Sequence, residues 1–353
     1  MFRKSKSIVG LDVGSTVVKA VELTLDGTEP VVTGFARVEI PPGGSQAEAV
    51  ATAFSEGKFR TKQVVTSVSG QDVVVRYVPM MKMTEAEVKQ AIRFETDKYL
   101  PFDLSEVQLD SQALKRAPAG SAEGEGKDAK QGEQMTVLLA ACKTKAVQEK
   151  VALATAQGLV PIAVDIDLFA LSNAWNLCGL PLDEAADGEQ HAIALVDIGA
   201  ARTSINVLVN GETCFSREIN IGGGDMTQAV ARRLGVEGYE AEAIKRSSEN
   251  HELEVNSAIA PVLEDLVGEL SLSLDYVEHH EGVHVEQVLL SGGGVLAPGA
   301  VQYIEQATGR SARTWNPLEG LRVDSARVDV EELEAWSSTL VVALGLASRV
   351  RAA

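Results

Sequence analysis

Two stretches decide the fold: SIVGLDVGSTVVKAVEL at residues 7–23 and IALVDIGAARTSINVLV at residues 193–209. Placing Asp12 on Asp197 lays IVGLDVG (8–14) over IALVDIG (193–199). In each stretch an apolar run reads as a buried strand, a glycine-containing turn follows, and a second valine-rich strand leaves it. Self-similarity within one chain implies two copies of one architectural unit. The copies lie too far apart for a solenoid repeat, so two lobes are expected.

The first hairpin carries chemistry as well as shape. A strand ending at Asp12, followed by Gly14-Ser15-Thr16, points backbone N–H groups and hydroxyls at one spot beyond the sheet edge. Glycine lets a phosphate sit against the main chain. Lys19 adds positive charge, and Asp12 is suited to hold Mg²⁺ through water, as that ion prefers. A lone motif of this kind is equally an ordinary hairpin turn. The second copy changes the weight, because Asp197-Ile198-Gly199 with Thr203 and Ser204 supplies a second clamp facing the first. Two carboxylates across a cleft suit a metal-bridged triphosphate. Ser291-Gly292-Gly293-Gly294 offers a third backbone surface, either for a nucleoside or as a plain left-handed turn.

Composition narrows the function. The chain has 353 residues, 45% of them hydrophobic, which suits two domains or one bilobal unit. Its formal charge of −18 and lack of clustered Lys and Arg exclude a nucleic-acid partner. Cys142, Cys178 and Cys214 stand alone in apolar surroundings and read as reduced thiols of a cytoplasmic protein. Residues 1–7 are basic but lack the pattern of a cleaved signal, and nowhere do about 18 apolar residues run together. Contact with a membrane is therefore expected only through a partner.

Between the copies, a strand at 31–40 stops at Pro41-Pro42-Gly43-Gly44, and residues 62–78 alternate around Ser69-Gly70-Gln71-Asp72 like a hairpin. Thr84 and Glu87 form a capping-box pattern opening a helix with Val88, Ala91, Ile92 and Tyr99 near one face, ended by Pro101. Residues 117–134 have no apolar periodicity and read as a loop, and so does 181–190. A buried strand at 135–143, a helix at 145–157, and a short strand and helix over 160–178 complete the first half. The second half adds Gly222-Gly223-Gly224-Asp225, acidic helices over 237–280, a strand entering the 291–294 turn, and an apolar helix over 338–349.

The order DxG(S/T)…K, DIG, then GGG…SGGG resembles the phosphate-1, phosphate-2 and adenosine motifs of the actin-like ATPases. Within that superfamily GLDVGSTVVKAVEL (10–23), AIRFETDKYLPFD (91–103) and PIAVDIDLFALSNAW (161–175) resemble the PilM family of type IV pilus assembly proteins, relatives of FtsA. The resemblance spans the chain apart from 117–134. It implies an α/β, bilobal actin-like ATPase fold (actin/Hsp70/FtsA superfamily) with an inserted 1C-type subdomain. The first-lobe core would occupy 1–35 and 159–190, the insert 36–158, the second-lobe core 191–225 and 284–353, and a 2B subdomain 226–283.

The resemblance also implies ATP and Mg²⁺ as cofactors. Gly14, Ser15, Thr16 and Lys19 would line the first phosphate loop, and Gly199 and Thr203 the second. Gly222, Gly223 and Gly224 would pass close to the nucleotide, and Gly292, Gly293 and Gly294 would form the adenosine loop. Asp12 and Asp197 would hold the metal through water. Ala241-Glu242-Ala243-Ile244-Lys245 resembles a helix whose Glu242 and Lys245 contact ribose or base; a surface ion pair explains the spacing as well.

A hydrolase of this build needs a group to orient water against the γ-phosphate. Asp165 is the candidate, with Asp167 preferred as a helix cap. Binding with little turnover is the accompanying expectation, so enzymatic activity stays open, at most a weak ATPase. The family's partner is the cytoplasmic N-terminal peptide of PilN, an inner-membrane protein, held between the insert and the first lobe. A PilN-like partner would place this chain at the inner membrane's cytoplasmic side; other pilus assembly proteins, motor ATPases among them, are further partners. Phe94, Tyr99 and Phe102 read as packing beneath the helix. Glu278, His279, His280 and His284 look metal-like, but Gly282 breaks the helix that would align them. A small-molecule kinase of the superfamily shares both phosphate loops. An FtsA-like filament protein would carry a C-terminal amphipathic membrane helix, for which ALGLASRVRAA leaves no room.

Overall fold

The computed structural model describes residues 6–95, 98–114, 134–178, 191–248 and 250–351. The chain opens as a meander of β1 (Ser7–Val13), β2 (Val17–Asp26) and β3 (Glu29–Glu39), then α1 (Gln46–Glu56), capped by Ser45, and β4 (Gln63–Val68). Next come β5 (Val73–Met81), α2 (Glu85–Glu95), β6 (Val107–Ala113), β7 (Gln134–Lys143) and α3 (Thr144–Ala156). β8 (Val160–Ile166) and α4 (Asp167–Cys178) close the first half. The second half runs β9 (Ala192–Ile198), β10 (Thr203–Val209), β11 (Glu212–Ile219), α5 (Gly223–Leu234), α6 (Gly238–Ser247) and α7 (Glu252–Glu281). It ends with β12 (Val285–Ser291), α8 (Ala300–Thr308), β13 (Ser311–Thr314), β14 (Arg322–Val323), α9 (Val330–Ala335) and α10 (Val341–Ala347).

The internal repeat is visible in the sheets. One has the order β14-β3-β2-β1-β4-β8 and the other β11-β10-β9-β12-β13. In both, three antiparallel strands are followed by two strands parallel to the first. Asp12 pairs with Lys19 in one hairpin and Asp197 with Ser204 in the other, each one residue before the turn. β1 is buried on both faces, as a strand flanked by helices must be. Val9, Leu11 and Val13 join the core with residues of α1, whereas Ile8 shares a core with α4 and α10.

Sheet pairing divides the chain more finely than the expected domain boundaries. Within 36–158, α1 and β4 belong to the first-lobe sheet and its core, while β5, β7 and β6 form a separate three-stranded sheet. β4 and β5 are not a hairpin: β4 lies between β1 and β8, and β5 pairs with β7. Alternation reveals a strand but not its partner, and the turn at 69–72 passes between sheets. Within 284–353, β14 joins the first sheet beside β3, and α10 packs on α4 and β1.

α10 is shorter than the expected 338–349 because single turns of 3₁₀ helix flank it, and every one of its residues is buried. α2 has its capping box, with Glu87 accepting from Thr84 N at 2.8 Å, but ends before Tyr99. Tyr99 and Phe102 pack on the insert's core as expected. The side chain of Phe94, the loop at 181–190 and the segment 117–133 lie outside the described residues; Gln134 opens β7.

Candidate functional site

The first hairpin sets a buried acid beside a base. Asp12, 7% exposed, lies with Oδ2 2.6 Å from Lys19 Nζ, which also donates to Thr339 O at 3.2 Å. The turn closes through Gly14 N to Val17 O at 3.1 Å, and a methyl group on Gly14 would stand 2.8 Å from that oxygen. Ser15 and Thr16 are exposed at its tip. Lys150 of α3 reaches Val13 O at 3.2 Å and Gln46 reaches Gly14 O at 3.0 Å, so cationic and polar groups converge on this turn.

The second hairpin is built differently. Asp197 accepts from Ser291 Oγ at 2.8 Å, and Gly199 N donates to Arg202 O at 2.9 Å. The three glycine turns are stacked against one another. Gly223 N and Gly224 N donate to Gly199 O and Ala200 O at 2.8 and 2.7 Å. A methyl group on Gly222 would come 2.7 Å from both carbonyls, and one on Gly294 2.3 Å from the Ile198 side chain. Close backbone packing thus explains these glycines. Gly293 alone is exposed, with open space where a Cβ would point. Thr203 is fully buried and donates to Ile221 O at 2.7 Å. Its proton is committed there, so this hydroxyl is not a free donor in the expected second phosphate loop.

The two lobes share one electrostatic site. Burial pulls the Lys19 ammonium down, but Asp12, Asp197 and Asp167 together carry it above its ordinary value. Burial pushes Asp197 up, against the pull of Lys19 and Ser291. Asp167, at the start of α4, is pushed up to about 7 by burial and by Asp12, against hydrogen bonds with Ser67 and Ser69. Three carboxylates therefore share two ammonium groups, Lys19 and Lys150. Such an excess of negative charge suits a cation, whose own charge would restore the ionised carboxylates. Among the described residues no three His, Cys, Asp or Glu side chains converge closely enough to hold a metal ion by themselves. An ion here would need water or an anionic ligand to complete its shell.

The structure does not bring Asp165 into this group. Arg349 grips its Oδ2 through Nε at 2.9 Å and Nη2 at 2.6 Å, and Asn173 and Ile166 N add bonds. A buried carboxylate tied this way anchors the chain's C-terminal turn. Asp165, expected to orient water, thus has its carboxylate engaged by Arg349, whereas Asp167 lies near enough to Asp12 to feel its charge.

Glu242 and Lys245 are more than a surface pair. Lys245 is 3% exposed and donates to Gly223 O at 3.0 Å and Thr227 Oγ1 at 2.8 Å, 2.7 Å from Glu242. Thr227 in turn donates to Glu242. Arg246 joins Glu242 at 2.9 Å to Glu39 of the first lobe at 2.8 Å. Sequence reasoning missed Ser67, Ser69, Lys150 and Arg246, and the bond from Ser291 to Asp197. Only Ser291 carried a signal, by its place before the glycine run. The suspected histidine site is a helix end: His284 pairs with Glu278 at 2.9 Å and His280 stacks on Tyr276.

Comparison with known proteins bears on the family and the fold. The sequence model of a family described as type IV pilus assembly protein PilM matches residues 10–351. Among solved structures the chain is similar to a "PilM-PilN type IV pilus biogenesis complex", with 28% identity and a TM-score of 0.81 over 98% of both chains. It is similar in fold alone to ethanolamine utilization protein EutJ from Carboxydothermus hydrogenoformans, 15% identical, TM-score 0.54, covering 99% of this chain and 90% of that one. The fold is the bilobal actin-like ATPase fold.

Proposed function

Because the chain belongs to the family of type IV pilus assembly protein PilM, we propose that it is a pilus assembly scaffold that closes its lobes on Mg·ATP and holds the cytoplasmic N-terminal peptide of a PilN-like inner-membrane protein. The observation that carries the nucleotide half is Lys19, poised between Asp12 and Asp197 of opposite lobes.

Lys19 and the exposed Ser15-Thr16 tip would receive the phosphates. Asp12 and Asp197 would hold Mg²⁺ through water, and the ion would neutralise phosphate charge. Glu242 and the open backbone at Gly293 would receive the nucleoside. Asp167, kept partly protonated near neutral pH by its surroundings, is the residue to orient or deprotonate water. Its shared hydrogen bonds with Ser67 and Ser69 limit how freely it can do so, which favours slow turnover at most. ATP then serves chiefly to hold the lobes closed.

The partner half rests on family membership and on likeness to a structure described as a PilM–PilN complex. The three-stranded unit of β5, β6 and β7 with α2 would form one wall of the expected groove. Among the described residues no helix is long and apolar enough to cross a membrane.

Calorimetry with Mg·ATP and, separately, with a synthetic N-terminal peptide of a PilN-like protein tests both halves. Each ligand should bind. Loss of all nucleotide heat would remove the ATP reading, and a peptide that never binds would remove the scaffold reading.

A further inference from the structure

The proposed nucleotide cleft and the three-stranded insert meet at residues 67–72, the end of β4 and the short turn after it. On the cleft side, Ser67 and Ser69 lie close enough to Asp167 to favour its charged form. The next residue, Gly70, donates its N–H to Glu218 Oε2 of β11, in the other lobe, at 2.6 Å. Arg202, whose carbonyl closes the Gly199 turn of the second hairpin, lies with Nη1 4.0 Å from the same Glu218 oxygen. The guanidinium rests directly on Gly70: a methyl group there would come 1.8 Å from Nη1, and φ is +88°. Only glycine allows that approach at that angle. Beyond the turn β5 enters the insert, where Tyr77 makes a second inter-lobe bond, to Ser216 Oγ at 2.7 Å.

Glu218 is poorly compensated. Burial pushes its pKa up, and its Oε1 has no hydrogen-bond partner among the described residues. A buried carboxylate with one backbone donor and one distant guanidinium cannot lose either at small cost. If Arg202 moves with the Gly199 turn, Glu218 must follow it or give up its charge partner, and Gly70 moves with Glu218.

We propose that Glu218 couples the ligand state of the cleft to the inserted sheet, by tying the Arg202 turn of the second lobe to Gly70 at the root of β5. The inference rests on the proposed binding of Mg·ATP and adds the route by which that binding reaches the insert. Coupling of this kind needs an element that both sites bias, and the 67–72 segment touches both.

Hydrogen exchange of the full chain with and without Mg·ATP tests it, with calorimetry on the same samples. In the wild type, amides of residues 70–81 should change exchange rate by about fivefold on binding, a common size for coupling between sites. Glu218→Gln keeps an acceptor for Gly70 but removes the charge that answers Arg202. It should bind Mg·ATP within threefold of wild type and lose the change at 70–81, while the change at residues 14–17 persists. Tyr77→Phe, which leaves the buried charge untouched, should reduce the change at 70–81 without abolishing it. Nucleotide binding without any change at 70–81, or a full change in Glu218→Gln, would overturn the coupling and leave the nucleotide reading standing. Absence of nucleotide binding in the wild type would overturn both.

Discussion

Lys19 Nζ stands 2.6 Å from Asp12 Oδ2 on its own lobe, and its charge is answered by Asp197 from the other. The two halves of the repeat are thus joined electrostatically at the positions their alignment makes equivalent. Removing Asp12 leaves Lys19 with Asp197 and Asp167, so the fold should survive. Asp12→Ala should weaken Mg·ATP by about a hundredfold, or about 2.7 kcal/mol. Calorimetry alongside circular dichroism checks this, and undiminished affinity in a folded variant would take the metal role away from Asp12.

Proton linkage gives a second expectation. Asp167 has its carboxyl pushed up to about 7, and burial raises Asp197 too. Between the ordinary carboxylate value near 4 and about 7, the folded chain therefore binds more protons than the unfolded one. Each step up in pH through that window favours unfolding. Without ligand, the melting temperature should fall from pH 5 to pH 7.5 for this reason, and Asp167→Asn should flatten the fall. Millimolar Mg²⁺ with ATP should restore stability at the upper end. A melting temperature that climbs through the window and ignores Asp167→Asn would refute the account.

The fold was legible because its deciding signal is a repeat: Asp12 and Asp197 fall at matching registers in matching hairpins. Partners were less legible than elements. β4 and β5 alternate as paired strands do, yet lie in different sheets, because periodicity records burial and not the neighbour. Asp165 and Asp167 are two residues apart in an apolar stretch; only Arg349, far along the chain, decides which acid is neutralised. Thr203 carries the right residue type, but its hydroxyl is spent on Ile221 O. At Lys245 the spacing to Glu242 was readable, whereas the burial that gives the pair its weight depends on α5.

That burial supports a third expectation. Lys245 satisfies Gly223 O, Thr227 and Glu242 at once. Lys245→Ala leaves Gly223 O and Glu242 to share the single Thr227 proton, with Arg246 still donating to Glu242; a poorly met buried partner costs about 1–3 kcal/mol. Urea unfolding should show a loss of about 3 kcal/mol, and Lys245→Met, which fills the space but makes no bond, should recover little of it. Full recovery in Lys245→Met would mean that packing, not hydrogen bonding, is what Lys245 supplies.

Gly345 in α10 separates two physical effects of opposite sign. Helix propensity alone favours Gly345→Ala by about 1 kcal/mol. A Cβ there would come 1.9 Å from Ala170 O of α4, a backbone atom that cannot rotate away. The clash should win, with a net loss of about 2 kcal/mol or more by overpacking. Thermal melts decide it: a stabilised variant would show that α10 does not seat on α4 this closely.

Arg246 bridges the lobes through Glu39 at 2.8 Å while holding Glu242 at 2.9 Å. The pair with Glu39 is half exposed, so Glu39→Gln should change stability by less than about 0.5 kcal/mol. Its position matters more than its strength, because separating the lobes on the α6 side must break it. A nucleotide held between the lobes should accordingly leave about twofold faster from Glu39→Gln, since even about 0.4 kcal/mol of barrier has that effect. Salt provides the control, because screening weakens exposed pairs. Raising ionic strength should speed release from the wild type and affect the variant less. Stopped-flow release of a fluorescent ATP analogue measures both, and equal rates with equal salt dependence would show that Glu39 and Arg246 do not restrain opening.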